Sequence, residues 1–219
     1  SVPPRKEEMM RSINYYCNVL PELDVTFRLG QEFSEKDYAS FDEVIVATGA
    51  TNAIIPVPGK DLPTVVSAWD VLAKKEIVFG KVSVIGGGLV GVETAEYLAS
   101  RGCKVTIVEM MDQIAKEESN TVLPTLMKEL NSHEVEVLTS AKLMEITENA
   151  VIVEKTVDEK TEKAEVASDF VVMAVGAKKN VAELNNCTLP IHYVGDCAGE
   201  RPSNIDHAIK SAYDVACEL

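Results

Sequence analysis

Several kinds of chemistry are missing from this sequence. Its five cysteines, Cys17, Cys103, Cys187, Cys197 and Cys217, are odd in number, widely spaced and never form CxxC. They indicate neither a disulfide framework nor a thiolate metal site. The three histidines, His133, His192 and His207, form no HExxH or other ligand pair, so no metal centre is expected. There is no GxSxG, no P-loop and no recognisable pair of acids, and hence no sign of a nucleophile or general base. No apolar run approaches the ~20 residues of a membrane span, and no charged n-region followed by an apolar h-region opens the chain. A soluble cytoplasmic protein with no membrane partner is expected. The formal net charge of -14, with no basic patch interleaved with aromatics, argues against a nucleic-acid partner.

What remains is a chain of 219 residues, 46% hydrophobic, long enough for a real core and one or two domains. It is organised around residues 81–109, KVSVIGGGLVGVETAEYLASRGCKVTIVE. An apolar run (Val82, Val84, Ile85) enters a glycine cluster, and a segment with apolar residues near helical spacing follows (Leu89, Val92, Ala95, Leu98, Ala99). Gly102 and a second β-branched run, 105–108, close the unit on Glu109. This is strand, turn, helix, strand.

The glycines fall as Gly86-x-Gly88-x-x-Gly91 directly after a strand and at a helix start, the context that gives this pattern its meaning. Gly86 permits the tight turn, Gly88 lets the backbone approach a pyrophosphate, and Gly91 lets the helix pack closely on the strand. Gly87, Leu89 and Val90 belong to the same turn and count with it as cofactor-binding residues. The free N–H groups and positive dipole end of the helix favour phosphate charge. Glu109, about 20 residues on, can accept hydrogen bonds from a ribose hydroxyl. The stretch is expected to bind a dinucleotide or an ADP moiety.

Along the rest of the chain, a helix is expected over 7–20, a strand over 24–29, and a stronger strand over 43–47 that ends in Thr48-Gly49. The turn-rich run Pro56-Val57-Pro58-Gly59 reads as a crossing between domains. A short helix over 65–75 contains Trp69, expected as a packing residue rather than a ligand contact. A helix over 119–132 and strands over 135–138, 143–147 and 151–155 follow the central unit. The charged run 158–165 reads as a solvated hairpin tip. Strands over 170–175, ending at Gly176, and 191–194, ending at Gly195-Asp196, precede a last helix from about Ser203 or Asn204 to Leu219. Ser203 with Asp206 offers that helix a capping box.

A strand into Ala47-Thr48-Gly49, a complete GxGxxG unit inserted after it, and a late strand into Gly195-Asp196 before a helix resemble the C-terminal half of the two-dinucleotide flavoproteins. Within these the chain looks most like the old-yellow-enzyme-related NADH:flavin oxidoreductases, the family of 2-enoate reductase, 2,4-dienoyl-CoA reductase and trimethylamine dehydrogenase. The run Pro3-Pro4-Arg5-Lys6-Glu7-Glu8 before a helix, and Pro58-Gly59-Lys60-Asp61 before Ser67-Ala68-Trp69-Asp70-Val71-Leu72, carry that closer resemblance. It covers essentially the whole chain and implies an α/β fold. A Rossmann-like parallel-sheet NAD(P)-binding domain, 61–178, would be inserted in a partial FAD-binding domain, 1–60 and 179–219, whose first βαβ unit is absent. The chain is then expected to be a fragment. An earlier GxGxxG unit and an N-terminal barrel, its partner, would complete the parent protein, with FMN and an iron–sulfur cluster confined to that barrel.

The resemblance also implies roles. Gly86, Gly88 and Gly91 would cradle the pyrophosphate of the nicotinamide nucleotide, and Glu109 would hold its adenosine ribose. Glu93 matches an acid near the nicotinamide carboxamide, with a plain solvent-facing helix acid as the alternative. Asp196 matches the residue that bonds the ribityl chain of FAD, with Thr48, Gly49, Gly195 and Gly176 counted with the cofactor sites; the alternative for Asp196 is an ordinary turn acid. NADH is expected over NADPH, because Glu109 repels a 2′-phosphate and Met110-Met111-Asp112-Gln113 offer no Arg or Lys to receive one. The activity implied is hydride transfer from NADH to FAD, feeding reduction of an activated alkene. The alternatives are a non-catalytic ADP-binding module, as in trimethylamine dehydrogenase, and a free-standing NADH oxidase or ferredoxin-type reductase. The absence of CxxC argues against the thioredoxin-reductase type.

Overall fold

The structure, a computed structural model, describes residues 6, 8–116, 119, 122–157 and 160–219. Pro3, Pro4, Arg5 and Glu7 of the run that carries part of the resemblance lie outside the described residues, as do Asp158 and Glu159 of the charged run. Helix α1 (Met9–Val19) is followed by two 3-10 turns, Leu20–Leu23 and Glu35–Ser40, and by β1 (Val44–Val46). Then come β2 (Ala50–Asn52), β3 (Val65–Ser67), α2 (Ala68–Leu72), β4 (Lys81–Ile85), α3 (Leu89–Ala99) and β5 (Lys104–Val108). Next are α4 (Leu123–Ser132), β6 (Glu136–Leu138), β7 (Ala141–Ile146), β8 (Ala150–Val157), β9 (Lys160–Ala167) and β10 (Phe170–Met173). β11 (Ala177–Lys179), which pairs with β2, β12 (Ile191–Tyr193) and α5 (Ile205–Glu218) complete the order.

Two compact units form. One comprises Ser1–Tyr15 and Asn52–Gly176, the other Tyr16–Thr51 and Ala177–Leu219. The seams expected from the sequence stand at 60/61 and 178/179; the chain passes between these units at 15/16, 51/52 and 176/177.

The first unit is built on a five-stranded sheet in the order β3-β10-β4-β5-β6, with every pair parallel. Strands this rich in valine and isoleucine need cover on both faces. On one face Val82, Val84, Val105, Ile107 and Val172 pack against α2 (Ala68, Val71), α3 (Val92, Ala95, Leu98) and α4 (Leu126, Leu130). On the other, Ile85, Val108, Val171 and Met173 meet Ala141, Leu143, Ile146, Val151 and Val153 of the antiparallel sheet β7-β8-β9. The strict alternation in β4, with Val82 and Val84 toward the helices and Ile85 toward the small sheet, follows from the two-residue repeat of a strand. Chain order runs outward from β4 through β5 and β6 on one side, while β10 and β3 lie on the other. In open parallel sheets the ligand crevice lies at the carboxyl ends of the strands where the order reverses, here beside β4.

Four local expectations are corrected. Residues 24–29 form no strand: Val25, Phe27 and Leu29 are all exposed, and alternation without a face to pack on does not hold a strand. The segment 65–75 is not one helix. β-branched Val65 and Val66 pair with β10, and the Ser67 hydroxyl then caps α2 by accepting from the Trp69 N–H at 3.1 Å. Trp69 itself is partly exposed. The charged run is mostly strand, because β9 pairs along its length with β8. Finally, the cap of α5 is Asn204, whose Oδ1 accepts from the His207 N–H at 3.0 Å, rather than Ser203.

The second unit is slighter. β1 and β12 form a two-stranded parallel pair, Val44 opposite Ile191 and Val46 opposite Tyr193. Val46, Val194 and Cys197 are its buried apolar side chains among the described residues, and the Cys197 thiol donates to the Val46 and Val194 carbonyls. No helix among the described residues is long and apolar enough to cross a membrane.

Candidate functional site

At the carboxyl end of β4 four glycines occur within six residues, and the structure gives them different reasons. Gly86 has φ +102°, and a Cβ there would stand 2.5 Å from the Ala174 carbonyl oxygen. A Cβ on Gly91, within α3, would stand 1.9 Å from the Gly86 oxygen, so α3 can lie against the turn only with glycine at this position. A Cβ on Gly87 would meet Ile114 Cγ2 at 2.4 Å and Glu109 Cβ at 3.1 Å. Gly88 is different. Its backbone is extended (φ −68°, ψ 178°), and a Cβ would meet nothing within 4 Å. The protein makes no demand for glycine at 88, so the open space before the helix is what its missing side chain provides.

That space faces the start of α3. Gly88 is the N-cap and has no side chain to cap with, and the first intrahelical bond runs from Val92 N–H to the Gly88 carbonyl at 3.0 Å. The N–H groups of Leu89, Val90 and Gly91 precede the intrahelical ladder and lie at the positive end of the helix dipole. No acidic residue occupies that first turn. A helix start of this form suits an anion.

Glu109 leaves β5 into the same crevice and is buried, 8% exposed. Its Oε2 accepts from the Gly87 N–H at 2.5 Å and its Oε1 from the Met111 N–H at 2.7 Å. Its backbone continues the sheet edge, the N–H donating to Leu138 and the carbonyl accepting from Ala141. The loop beyond then turns back, and the Ala115 N–H donates to the Gly87 carbonyl at 2.7 Å. Sequence spacing pointed to Glu109 as a ribose acceptor but gave no sign of this clamp. The loop returns at Ala115, with φ +49° and no glycine to mark it. Lys116 Nζ, beyond it, lies 3.8 Å from Asp112 in an exposed pair.

Glu93, one helical turn into α3, is 7% exposed, and Lys6 Nζ lies 2.5 Å from its Oε1. The alternative of a solvent-facing helix acid is therefore overturned, and Lys6, to which the sequence assigned no role, is its partner. Gly176 (φ +97°) ends the first unit, its carbonyl accepting from the Ala53 N–H at 3.0 Å.

The remaining candidates lie in the second unit. The Thr48 hydroxyl donates to the Asn180 carbonyl, the Asn180 side chain donates to the Thr48 carbonyl at 3.1 Å, and the Asn180 N–H donates to Gly49 at 2.9 Å. Gly49 and Gly195 both have left-handed backbones, at φ +70° and +67°. The Gly195 N–H donates to Ser211 Oγ at 2.8 Å, and Asp196 Oδ1 accepts from the Ser203 N–H at 2.9 Å. One Asp196 oxygen thus fastens the loop before α5.

All five cysteines are free thiols. Burial pushes the Cys103 thiol above its ordinary pKa, which disfavours a reactive thiolate. Among the described residues no group of three or more His, Cys, Asp or Glu side chains could hold a metal ion.

Residues 17–193 match the pyridine nucleotide-disulphide oxidoreductase family. The chain belongs to that family. Its fold is accordingly the Rossmann-type FAD/NAD(P)-binding module of the two-dinucleotide flavoproteins, as the sequence implied. The chain is 44% identical over 221 residues to the bilirubin reductase of Mediterraneibacter gnavus, covering 99% of this chain and 34% of that protein. It is 31% identical over 226 residues to the cinnamate reductase of Clostridium sporogenes, covering 98% of this chain and 32% of that one. A solved 2-naphthoyl-CoA reductase in complex with 2-naphthoyl-CoA superposes with a TM-score of 0.89 at 23% identity, over 100% of this chain and 33% of its own; at that identity the likeness is one of fold. The 6-hydroxypseudooxynicotine amine oxidase of Pseudomonas geniculata N1 superposes with a TM-score of 0.80 at 26% identity, over 97% and 34%. The chain therefore spans about a third of the length of the curated relatives it matches. No CxxC occurs in these 219 residues.

Proposed function

We propose that this chain is the nucleotide-binding part of a larger NADH-dependent flavin reductase whose N-terminal barrel reduces an activated alkene of the enoate or dienoyl-CoA type. The observation that carries the reading is the open approach at Gly88 before the uncapped start of α3, with the Glu109 carboxylate beside it. The names of the two relatives, reductases of bilirubin and of cinnamate, support a reductase. The first unit would bind the nicotinamide nucleotide, and the second, with its two parallel strands and α5, would form part of the FAD domain.

When bound, the nucleotide supplies the hydride and FAD accepts it. The work of this chain is to position and exclude. The N–H groups of Leu89, Val90 and Gly91 would face the pyrophosphate, Gly88 would admit it, and Glu109 would accept from the adenosine ribose. Glu93, held by Lys6, would lie toward the carboxamide end. In the second unit Thr48, Gly49, Gly195 and Asp196 would contribute to the flavin side.

NADH is favoured over NADPH because the Glu109 carboxylate would stand against a 2′-phosphate and residues 110–113 offer no Arg or Lys to receive one. Calorimetry is expected to give NADH at least tenfold tighter binding than NADPH, about 1.4 kcal/mol. Glu109→Ala should shrink that preference; tighter NADPH binding, or a preference indifferent to Glu109, removes this assignment.

A second reading, a module that holds ADP without turnover, draws on the same site, because Gly88, the helix start and Glu109 all address the ADP half of the ligand. Stopped-flow mixing of the full-length protein with NADH separates the two. Bleaching of the flavin supports the reductase, and tight ADP binding without bleaching supports the module. A free-standing NADH oxidase would instead purify yellow and active as this chain alone.

A further inference from the structure

We infer that Glu109 is a positioning residue for the phosphate cradle in addition to any bond it makes to a ribose: its carboxylate holds the glycine turn in binding shape before a ligand arrives. The inference rests on the reading of this crevice as an ADP-moiety site.

Three consecutive glycines, Gly86, Gly87 and Gly88, have more backbone freedom than any other tripeptide, and a turn made of them needs to be fastened by something else. The Gly87 residue is fastened on both sides. Its N–H donates to Glu109 Oε2 at 2.5 Å, a charge-assisted bond, and its carbonyl accepts from the Ala115 N–H at 2.7 Å. The other Glu109 oxygen takes the Met111 N–H at 2.7 Å, tying the loop that supplies Ala115 to the same carboxylate. One buried side chain therefore joins the end of β5, the loop beyond it and the turn before α3. Each carboxylate oxygen keeps lone-pair capacity beyond the bond it already makes, so a ribose hydroxyl can be added without releasing the turn. Glutamine cannot do this work. Both partners are N–H donors, and an amide turns one acceptor and one donor toward them, leaving a donor facing a donor.

Charge gives the inference a distinguishing sign. A carboxylate beside a pyrophosphate repels it, so if Glu109 served only the ribose, its removal would leave the pyrophosphate contribution unchanged or improve it. If Glu109 builds the cradle, removal weakens the pyrophosphate contribution despite the relief of repulsion. Adenosine and ADP share the ribose and differ in the pyrophosphate. NMR titration of the whole chain with each ligand, for wild type, Glu109→Gln and Glu109→Ala, reads the ratio of the two affinities. The ratio of ADP to adenosine affinity is expected to fall at least tenfold in both variants. A ratio that stays constant or rises overturns the inference while leaving the ADP site intact. Binding of neither ligand to wild type removes the site reading, and the inference with it.

A ligand-free measurement covers variants too unstable to titrate. In wild type the Gly87 amide should exchange with solvent at least tenfold more slowly than in Glu109→Gln. Equal exchange in the two proteins overturns the clamp, whatever binds.

Discussion

Gly88→Ala is expected to lower ADP affinity at least tenfold while moving the melting temperature little, whereas Gly91→Ala is expected to disrupt the first unit itself. The two glycines stand three apart in one motif, yet the structure asks different things of them. At 88 the backbone is extended, and a methyl group would stand in empty space. Alanine is a poorer N-cap than glycine but confines the unfolded chain more, and the balance should stay within about 1 kcal/mol. The methyl group would, however, occupy the approach to the free N–H groups of α3, where a phosphate needs contact at hydrogen-bond distance. At 91 a Cβ falls 1.9 Å from the Gly86 oxygen and 3.3 Å from Ala174 Cβ, in a cluster bounded by backbone. Neither neighbour is a flexible side chain that can swing away, so α3 must move off the end of β4. Opening that contact should cost about 3 kcal/mol or more. Thermal melts with and without ADP check both halves. Wild-type ADP affinity in Gly88→Ala would show that ligand does not enter over residue 88, and an unchanged melting temperature in Gly91→Ala would show that helix and strand are not locked at this point.

The contrast also shows how far the sequence could be read. The strand-turn-helix-strand unit was legible because periodicity changes from two to near four across the glycines, and no local force competes with it. Glu109 was legible by position, at the end of the second strand. Its bonds to Gly87 and Met111 were not, because they depend on a loop that doubles back at Ala115, a residue type that does not mark a left-handed turn. Lys6 as partner of Glu93 was equally hidden, since the pair spans 87 positions and neither residue type announces the other. The errors have a common physical origin. Residues 24–29 have the alternation of a strand and β9 the charge of a loop, yet what decides each is whether a neighbouring strand is in place to pair with it. Val65 and Val66 show the same rule: they fall in the segment 65–75 expected as a helix, and pairing with β10 prevailed.

Hydrogen exchange across this chain is expected to be sharply uneven, with amides of β1 and β12 exchanging at least about 100-fold faster than those of β4 and β5. The reasoning is from packing. β4 and β5 are covered on both faces, and Val84 and Ile107 are fully buried at 0% exposure. β1 and β12 are a parallel pair alone, an arrangement that ordinarily persists only within a larger covered sheet. Ile45 in the middle of β1 is 48% exposed, and α5 presents Ile205, Ile209 and Tyr213, spaced by four, to solvent. Three buried apolar side chains cannot offset the entropy of ordering the second unit, so its amides should open by local unfolding without disturbing the first. Ligand provides an internal control. ADP should further protect Leu89 to Gly91 in the first unit and leave β1 and β12 unaltered, because its proposed contacts all lie on β4, α3 and β5. In the larger protein proposed above, where further strands and helices would cover Ile45 and the apolar face of α5, the same amides of β1 and β12 should slow toward those of β4. Equal protection of the two units in this chain alone would mean that the second unit is stable without such cover, and the case for a half-built flavin domain would lose its energetic basis.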